Sequence, residues 1–441
     1  MVKRYRFKAG HKILIKGEPA RAALYMIRSG SVEIDDGTAT KQLGAMAYFA
    51  DEMLLLDVGA TSGKRVKPIV TPAYSVTATE ETVCGVLTLE SCRAVFDTAY
   101  LGKAPPNVGD SLQGKDVSLE ALERHRILGA GTFGQVWLVS RTDSAGEKHA
   151  YALKVQSKYE LIHHGQARAV VHEKNIMAHL RHPFITNLVS AFQDKDYVYM
   201  LMGLVQGGEL YSVMHTRKSD HLPEEKARFY IAGIAEGLAY MHRRGYVYRD
   251  LKPENVMIDD EGYPVIVDFG FAKYVTSMTY TLCGTPLYLA PEVILSRGHN
   301  WGADHWSLGV LAYEMCKGGT PFYTHGMDQA HLFQRIIKCK WSMPRGISAA
   351  YQELLRGFIC NEPSRRLGSL AGGEDDILGH PFFESIDFEE LRLKTIRAPY
   401  VPNIKDPLDA SNFEDWSHLD NKLQKAYPEL TDDQNALFQK F

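Results

Sequence analysis

Asp250 and Asp268, with Asn255 between them, share one short stretch of this chain, YRDLKPENVMIDDEGYPVIVDFG, running from Tyr248 to Gly270. Asp250 opens a D-L-K-P-E-N run that ends in Asn255. Asp268 follows an apolar, strand-like run (Val265, Ile266, Val267) and precedes Phe269 and Gly270. Moving a phosphoryl group from ATP to a hydroxyl needs one carboxylate near the attacking oxygen. It needs a second on Mg2+, with an amide oxygen helping on the metal. These roles are matched to the general phosphoryl-transfer pattern; spacing alone does not produce them. Asp-Phe-Gly by itself is a common turn, and a D-x-x-x-x-N spacing by itself is near noise. Their joint presence in one stretch, with Lys252 between them, leaves little room for coincidence.

Upstream, Leu128-Gly-Ala-Gly-Thr-Phe-Gly-Gln-Val136 lies between two strand-like runs. Gly129, Gly131 and Gly134 let backbone N–H groups approach phosphates without a Cβ in the way, and Ala130, Thr132, Phe133 and Gln135 complete the loop. A lone G-x-G-x-x-G is as often a simple hairpin. Its position before Tyr151-Ala-Leu-Lys-Val155 changes that, because Lys154 sits among apolar strand residues.

With these residues in view, the chain from about Ser118 to Phe441 resembles a eukaryotic protein kinase of the cyclic-nucleotide-dependent (AGC) group. Residues 5–100 resemble a cyclic-nucleotide-binding domain. That order in one chain resembles the cGMP-dependent protein kinases. The implied fold is a small β-barrel or jelly roll followed by an α+β bilobal kinase fold with the group's C-terminal tail. The implied boundaries are 1–101 for the first domain, 102–117 for a Gly/Pro/Ser/Asp linker, 118–383 for the kinase domain and 384–441 for the tail.

The resemblance implies roles. Lys154 pairs the ATP phosphates and Glu173, in VVHEKNIMAHL, is its carboxylate partner. Asp250 is the base that orients the substrate hydroxyl, and Lys252 neutralises charge on the transferring phosphoryl group. Asn255 and Asp268 hold Mg2+, a hard ion that prefers oxygen ligands. D-L-K-P-E-N and Thr285, in CGTPLYLAPE, mark a serine/threonine kinase. Glu292 is expected to pair with Arg366, and Asp304 to hold the catalytic-loop backbone. Thr281 matches the activation-loop phosphorylation site. Arg249 is its expected partner with Lys273 assisting, and an upstream kinase supplies the phosphate. Ala169 stands at a helix position that is basic in some members of the group.

Glu209, Glu254 and Glu314 match the positions that recognise Arg or Lys before the acceptor Ser or Thr, so protein substrates with such residues are expected. Leu287 stands where the group often has Glu. In the tail, Ala398–Pro402 and Asp409–Asp415 match the group's segments, Phe413 is expected over the adenine site, and Phe438-x-x-Phe441 is expected to fill a small-lobe pocket.

Composition narrows the remaining choices. The chain has 441 residues, enough for two or three domains, with 45% hydrophobic and 23% charged residues, which is ordinary for globular protein. A formal charge of −3 gives no basic excess that would suggest nucleic acid. Six cysteines without a C-x-x-C pair read as thiols in a reducing cytoplasm. The basic start lacks an apolar core for a signal peptide, Gly is not at position 2, and no apolar run is long enough to span a membrane.

The first 90 residues favour short strands at Lys12–Ile15, Ala23–Ile27, Ser31–Ile34 and Thr82–Leu89, with a helix at 90–100. Further helices are expected near 166–180, 224–244, 302–317, 328–338 and 349–359. The resemblance implies a phosphate cassette F-G-E-x-x-L-L and a later Arg. Here Ala50 and Asp51 replace the Gly and Glu, Asp57–Val70 is a longer insertion, and Pro72 stands where Arg is expected. Losing that Arg removes a charge-assisted hydrogen bond of about 1.5–3 kcal/mol. Arg65 and Lys67 are the basic residues in the insertion. Two readings remain: a sensor for cGMP or cAMP, or a non-binding regulatory module. The chain also starts close to the first strand of the barrel, without the helix that usually precedes it, as a piece of a longer kinase would.

Overall fold

The computed structural model describes residues 3–88 except 22, 36, 38, 39, 46, 51–68 and 73, and residues 117–441 except 144, 145, 217–219 and 420–426. Asp51, Arg65, Lys67, the expected 90–100 helix and most of the linker lie outside the described residues. The chain divides into two compact units, Met1–Asn107 and Val108–Phe441.

In the first unit, alternation of side chains along short strands builds two four-stranded sheets. One runs, in spatial order, Lys3–Phe7, Thr82–Thr88, Ala23–Ser29 and Tyr48–Phe49. The other runs Lys12–Leu14, Ser75–Ala78, Val32–Asp35 and Thr40–Leu43. Their pairings are antiparallel. Leu14, Ile27, Val32, Phe49, Val76, Cys84 and Val86 form one shared apolar core. The strands at Lys3–Phe7, Thr40–Leu43 and Ser75–Ala78 were not expected from the sequence; the first two carry mostly charged or polar residues with exposed side chains.

The second unit has a sheet lobe and a helical lobe. The sheet runs Glu123–Gly131, Gly134–Thr142, Lys148–Ser157, Tyr197–Gly203 and Leu188–Gln193, antiparallel throughout. The first pair meets at a tight turn through Thr132 and Phe133, which places the glycine-rich run at the end of that hairpin. The Ala167–His179 helix lies in this lobe, preceded by a short Lys158–His163 helix that sequence reasoning missed.

In the helical lobe, Glu224–His242 and Gly302–Lys317 are buried along most of their length and form the core. Helices buried over most of their surface need neighbours to cover them, and here the amphipathic helices Gln329–Ile337 and Ala349–Phe358 help to surround them. Asp328 and Ser348 cap these two helices, accepting from the N–H groups of His331 and Tyr351. Arg366 and Glu292 brace the lobe with two parallel hydrogen bonds of 2.6 and 3.0 Å. Among the described residues, no helix is long and apolar enough to cross a membrane.

Candidate active site

The catalytic segment is shaped by a hairpin. Val256–Ile258 pairs antiparallel with Pro264–Ile266, with Val256 opposite Ile266. The residue before the first strand, Asn255, therefore lies beside the residues after the second, and Val267 N–H donates to Asn255 O at 3.0 Å. This brings Asn255 and Asp268 together although sequence separates them.

Asp304, fully buried on the Gly302–Lys317 helix, fixes the loop from below. Its carboxylate accepts from the N–H groups of Tyr248 at 2.8 Å and Arg249 at 2.7 Å, and from His242 Nε2 at 2.7 Å. Arg249 (φ 71°) and Asp268 (φ 59°) are both held in the left-handed region, which costs a non-glycine residue about 1–2 kcal/mol. Such strain persists only where the surroundings over-determine it. Phe269 is buried against the Tyr248 ring at 5.6 Å, which anchors the turn that carries Asp268.

Asp250 is buried. Its Oδ1 accepts from Thr285 Oγ1 at 2.8 Å and its Oδ2 from Asn255 Nδ2 at 2.8 Å. Lys252 Nζ lies 3.4 Å from Asp250 Oδ2 and donates to Thr285 Oγ1 at 3.1 Å. Asn255 Nδ2 also donates to Asp250 O at 2.9 Å, so the amide nitrogen is fully engaged and its oxygen is left as the acceptor.

In the sheet lobe, Lys154 Nζ donates to Glu173 Oε1 at 2.6 Å and lies 3.7 Å from Asp268 Oδ1. Burial works against the ammonium charge, but Glu173 and Asp268 outweigh it and hold Lys154 protonated. Burial pushes Glu173 up, partly offset by Lys154. Lys154 draws Asp268 down; burial opposes this, and the Gly270 N–H assists it. The lysine therefore ties the two lobes together across the cleft.

That cleft has a volume of about 760 Å3. All nine residues of Leu128–Val136 line it, as do Lys154, Glu173 and Asp268. Its apolar wall includes Ala152, Met202, Met257 and, from the tail, Phe413 and Trp416. Apart from Phe413, these wall residues were missed by sequence reasoning, because apolar residues on strands look like any core. The glycines are not equivalent. A Cβ on Gly134 would sit 1.8 Å from Val155 O, whereas one on Gly129 or Gly131 meets nothing within 4 Å.

Thr281 is exposed, and neither Arg249 nor Lys273 is turned to it. Arg249 instead donates Nε–H to Phe271 O at 2.7 Å, and its Nη1 is buried without a partner among the described residues. Lys273 reaches Thr279 Oγ1 at 3.0 Å. Ala169 lines the cleft. Glu209 and Glu254 are exposed. Burial raises Glu209, and Glu254 and Glu414 add to the rise. Glu314 is buried, accepts from Tyr288 O–H at 2.5 Å, and is pushed up to about 7 by burial.

The tail packs as a third component of this unit. Gln206 Nε2 donates to tail carbonyls of Pro407 and Asp409 at 3.1 and 3.0 Å. Phe438 is fully buried on the sheet lobe, with Lys158 over its ring at 5.4 Å and Gln193 donating to its carbonyl at 3.0 Å. Lys174, next to Glu173, donates to Lys440 O at 2.7 Å. In the first unit, Ala50 is fully buried at φ 65° and its N–H donates to Tyr74 Oη at 3.0 Å.

Comparison with known proteins agrees with this geometry. A family model described as "Protein kinase domain" matches residues 122–383. The cAMP-dependent protein kinase catalytic subunit 2 of Drosophila melanogaster is 38% identical over 315 residues, 71% of this chain and 88% of that protein. The cAMP-dependent protein kinase catalytic subunit of Dictyostelium discoideum is 38% identical over 323 residues, 73% of this chain and 49% of that protein. The cGMP-dependent protein kinase 2 of Homo sapiens is 40% identical over 299 residues, 67% of this chain and 38% of that protein. The chain thus spans about half the length of the Dictyostelium relative and less of the human one. With its family model covering more than half of the sequence, the chain belongs to the protein kinase family, as a serine/threonine kinase of the cAMP- and cGMP-dependent kind.

Proposed function

We propose that this chain transfers the γ-phosphoryl group of ATP to Ser or Thr of protein substrates that carry Arg or Lys before the acceptor. The observation that carries the reading is that Lys154 joins Glu173 to Asp268 at the cleft, while the hairpin that carries Asp268 joins it to the contact cluster of Asp250, Lys252 and Asn255. The kinase domain is assigned to 118–383 and the tail to 384–441, after a linker at 102–117.

Asp250 accepts the hydroxyl hydrogen bond of the substrate and orients it; in the present geometry Thr285 O–H occupies that acceptor. Lys252, beside both, offsets negative charge at the transferred group. Lys154, kept charged by Glu173, positions the phosphates under the glycine-rich turn. Asn255, whose amide oxygen is left as an acceptor, and Asp268, on the segment that the hairpin pairs with it, offer hard oxygen donors of the kind Mg2+ prefers. When bound, Mg2+ neutralises charge on the phosphate oxygens. Glu209, Glu254 and Glu314 form an acidic face for the basic residues of the substrate. Thr281, once phosphorylated by an upstream kinase, takes the unpartnered Nη1 of Arg249.

The first domain, 1–101, is read as a cyclic-nucleotide sensor acting in cis, with cGMP favoured over cAMP. Ala50 supports this, because it holds the left-handed conformation that suits the glycine of the expected cassette. A second reading, a constitutively active kinase with a vestigial sensor, is favoured by Pro72, which is buried where a cassette arginine would present its charge. One assay separates them: phosphate transfer to an Arg-Arg-x-Ser peptide by the purified chain across cGMP and cAMP titrations. Activation by one nucleotide supports the sensor. High activity indifferent to both supports the vestigial domain. Undiminished turnover in both Asp250→Ala and Lys154→Ala would overturn the catalytic assignment.

A further inference from the structure

Behind the catalytic loop, two histidines and a glutamate from three separate helices meet. His242 closes the Glu224–His242 helix, His305 lies in the first turn of Gly302–Lys317, and Glu374 opens Glu374–Leu378. His242 Nδ1 and His305 Nε2 donate to the same oxygen, Glu374 Oε1, at 2.7 and 3.0 Å. These three atoms, two imidazole nitrogens and a carboxylate oxygen, lie within 4.8 Å of one another. Both rings are buried, whereas the Glu374 side chain is 10% exposed and forms the open edge of the cluster. Hydrogen bonding alone does not account for it. His305 Nδ1 is buried beside Gly368 and has no hydrogen-bond partner among the described residues. A buried polar atom left alone works against folding, and a phenyl ring would fill the same place near Phe358 without that penalty. What imidazole adds over phenyl is a nitrogen beside that of His242. His242, in turn, is oriented as a metal ligand is. Its Nε2 donates to the buried Asp304 carboxylate at 2.7 Å, which fixes the ring and leaves Nδ1 facing Glu374. Metal-bound histidines are commonly held this way by an outer carboxylate.

We propose that His242, His305 and Glu374 bind a divalent transition-metal ion, Zn2+ by ligand type, which staples the two core helices to the Glu374–Leu378 helix. Zn2+ takes imidazole nitrogen and carboxylate oxygen at about 2.0–2.2 Å, so tetrahedral donors stand about 3.4 Å apart. The donors that now touch part by less than about 1 Å to admit it. Glu374, at the open edge, is the one with room to withdraw, and it leaves a fourth position for water. The ion takes the place of the hydrogens on His242 Nδ1 and His305 Nε2. His242 keeps its Nε2 hydrogen on Asp304 and releases the other to solvent; His305 carries its hydrogen on Nδ1. Mg2+ prefers oxygen and matches two nitrogens poorly, so this site is separate from the one read at Asn255 and Asp268. Asp304 also accepts from the Tyr248 and Arg249 N–H groups, so the ion braces the catalytic loop through His242 and Asp304.

The test titrates the full chain, stripped of metal by a chelator and dialysed, with Zn2+ against a chromophoric competitor, with Mg2+ in excess to cover the oxygen sites. One Zn2+ per chain is expected, and Co2+ is expected to compete for it and to show the intensified visible spectrum of an ion with nitrogen ligands and few waters. At hundredfold excess over its Kd, Zn2+ is expected to raise Tm by about 5 °C. Glu374→Gln and His305→Gln lie outside the residues assigned to phosphate transfer. Each is expected to weaken Zn2+ binding at least about tenfold and to remove most of the rise in Tm. The absence of a one-to-one site, or equal Zn2+ affinity in the native chain and both variants, overturns the proposal. The Co2+ spectrum of the native chain decides the matter even where a variant fails to fold: an octahedral spectrum from oxygen ligands alone overturns it too.

Discussion

Replacing each glycine of the loop by alanine gives a test in which identical substitutions have opposite physical consequences. At Gly134 the new methyl would lie 1.8 Å from the Val155 carbonyl oxygen. Contacts below about 3 Å are not tolerated, so the Gly134–Thr142 strand must retreat by about 1 Å from Lys148–Ser157, where Gly134 opposes Gln156. The neighbour is backbone and cannot swing aside. Overpacking of this kind costs about 3 kcal/mol, or roughly 6 °C in a unit of this size. At Gly129 and Gly131 the methyl meets no atom of the protein, so Gly129→Ala and Gly131→Ala are expected to melt within about 2 °C of the native chain. Their effect should appear on the ligand side, as a rise in KM for ATP, because the space those residues leave open faces the cleft. Thermal unfolding and ATP kinetics on the three variants decide the matter. A Gly134→Ala protein as stable as the native chain would refute the steric argument, and unchanged ATP kinetics in Gly129→Ala and Gly131→Ala would refute the assignment of that space to nucleotide.

Three further outcomes are expected. Arg366→Met strands the buried Glu292 carboxylate and should cost about 3–5 kcal/mol, with partial recovery in the Glu292→Gln, Arg366→Met double variant; additive losses in thermal unfolding would contradict the pair. His242 donates to both Asp304 and Glu374. Burial opposes its charge, but the carboxylates raise its pKa from 6.5 to about 9. Its contribution is therefore complete below about pH 6.5 and lost as pH rises through about 9, and Glu374→Gln should flatten the slope of stability against pH between 7 and 9. An identical slope in the variant would show that the proton sits elsewhere. Phe438→Ala empties a fully buried site and should cost about 3–5 kcal/mol of tail docking, read as faster hydrogen exchange across residues 427–441; unchanged protection would mean the tail is held by other contacts.

The chemistry was legible in the sequence because each role admits few residue types. Asp250, Asn255, Asp268 and Lys154 have to be a carboxylate, an amide, a carboxylate and an amine at positions fixed by the hairpin and the sheet. The Glu292–Arg366 pair and the hold of Asp304 on the loop were also expected. The cleft's apolar wall was not, since Ala152, Met202 and Met257 differ in no local way from core residues. Nor was the His242–Glu374 contact, because nothing in either neighbourhood marks two residues so distant in sequence as partners. The expected meeting of Arg249 and Thr281 is not made in this structure, where the guanidinium turns to the Phe271 carbonyl instead. In the first unit the apolar strands were found, while Lys3–Phe7 and Thr40–Leu43 were hidden by their exposed polar side chains.

The tail enters the nucleotide cleft through Phe413 and Trp416 and ends on the helix that carries Glu173, where Lys174 holds Lys440. Two adjacent side chains of one helix thus report on different events, one on the cleft and one on the chain's own last turn. Thermodynamic reciprocity then applies: whatever factor a seated tail adds to nucleotide affinity, bound nucleotide must add to the seating of the tail. The kinase carries, in effect, a tethered second ligand whose occupancy and that of ATP are two measurements of the same coupling.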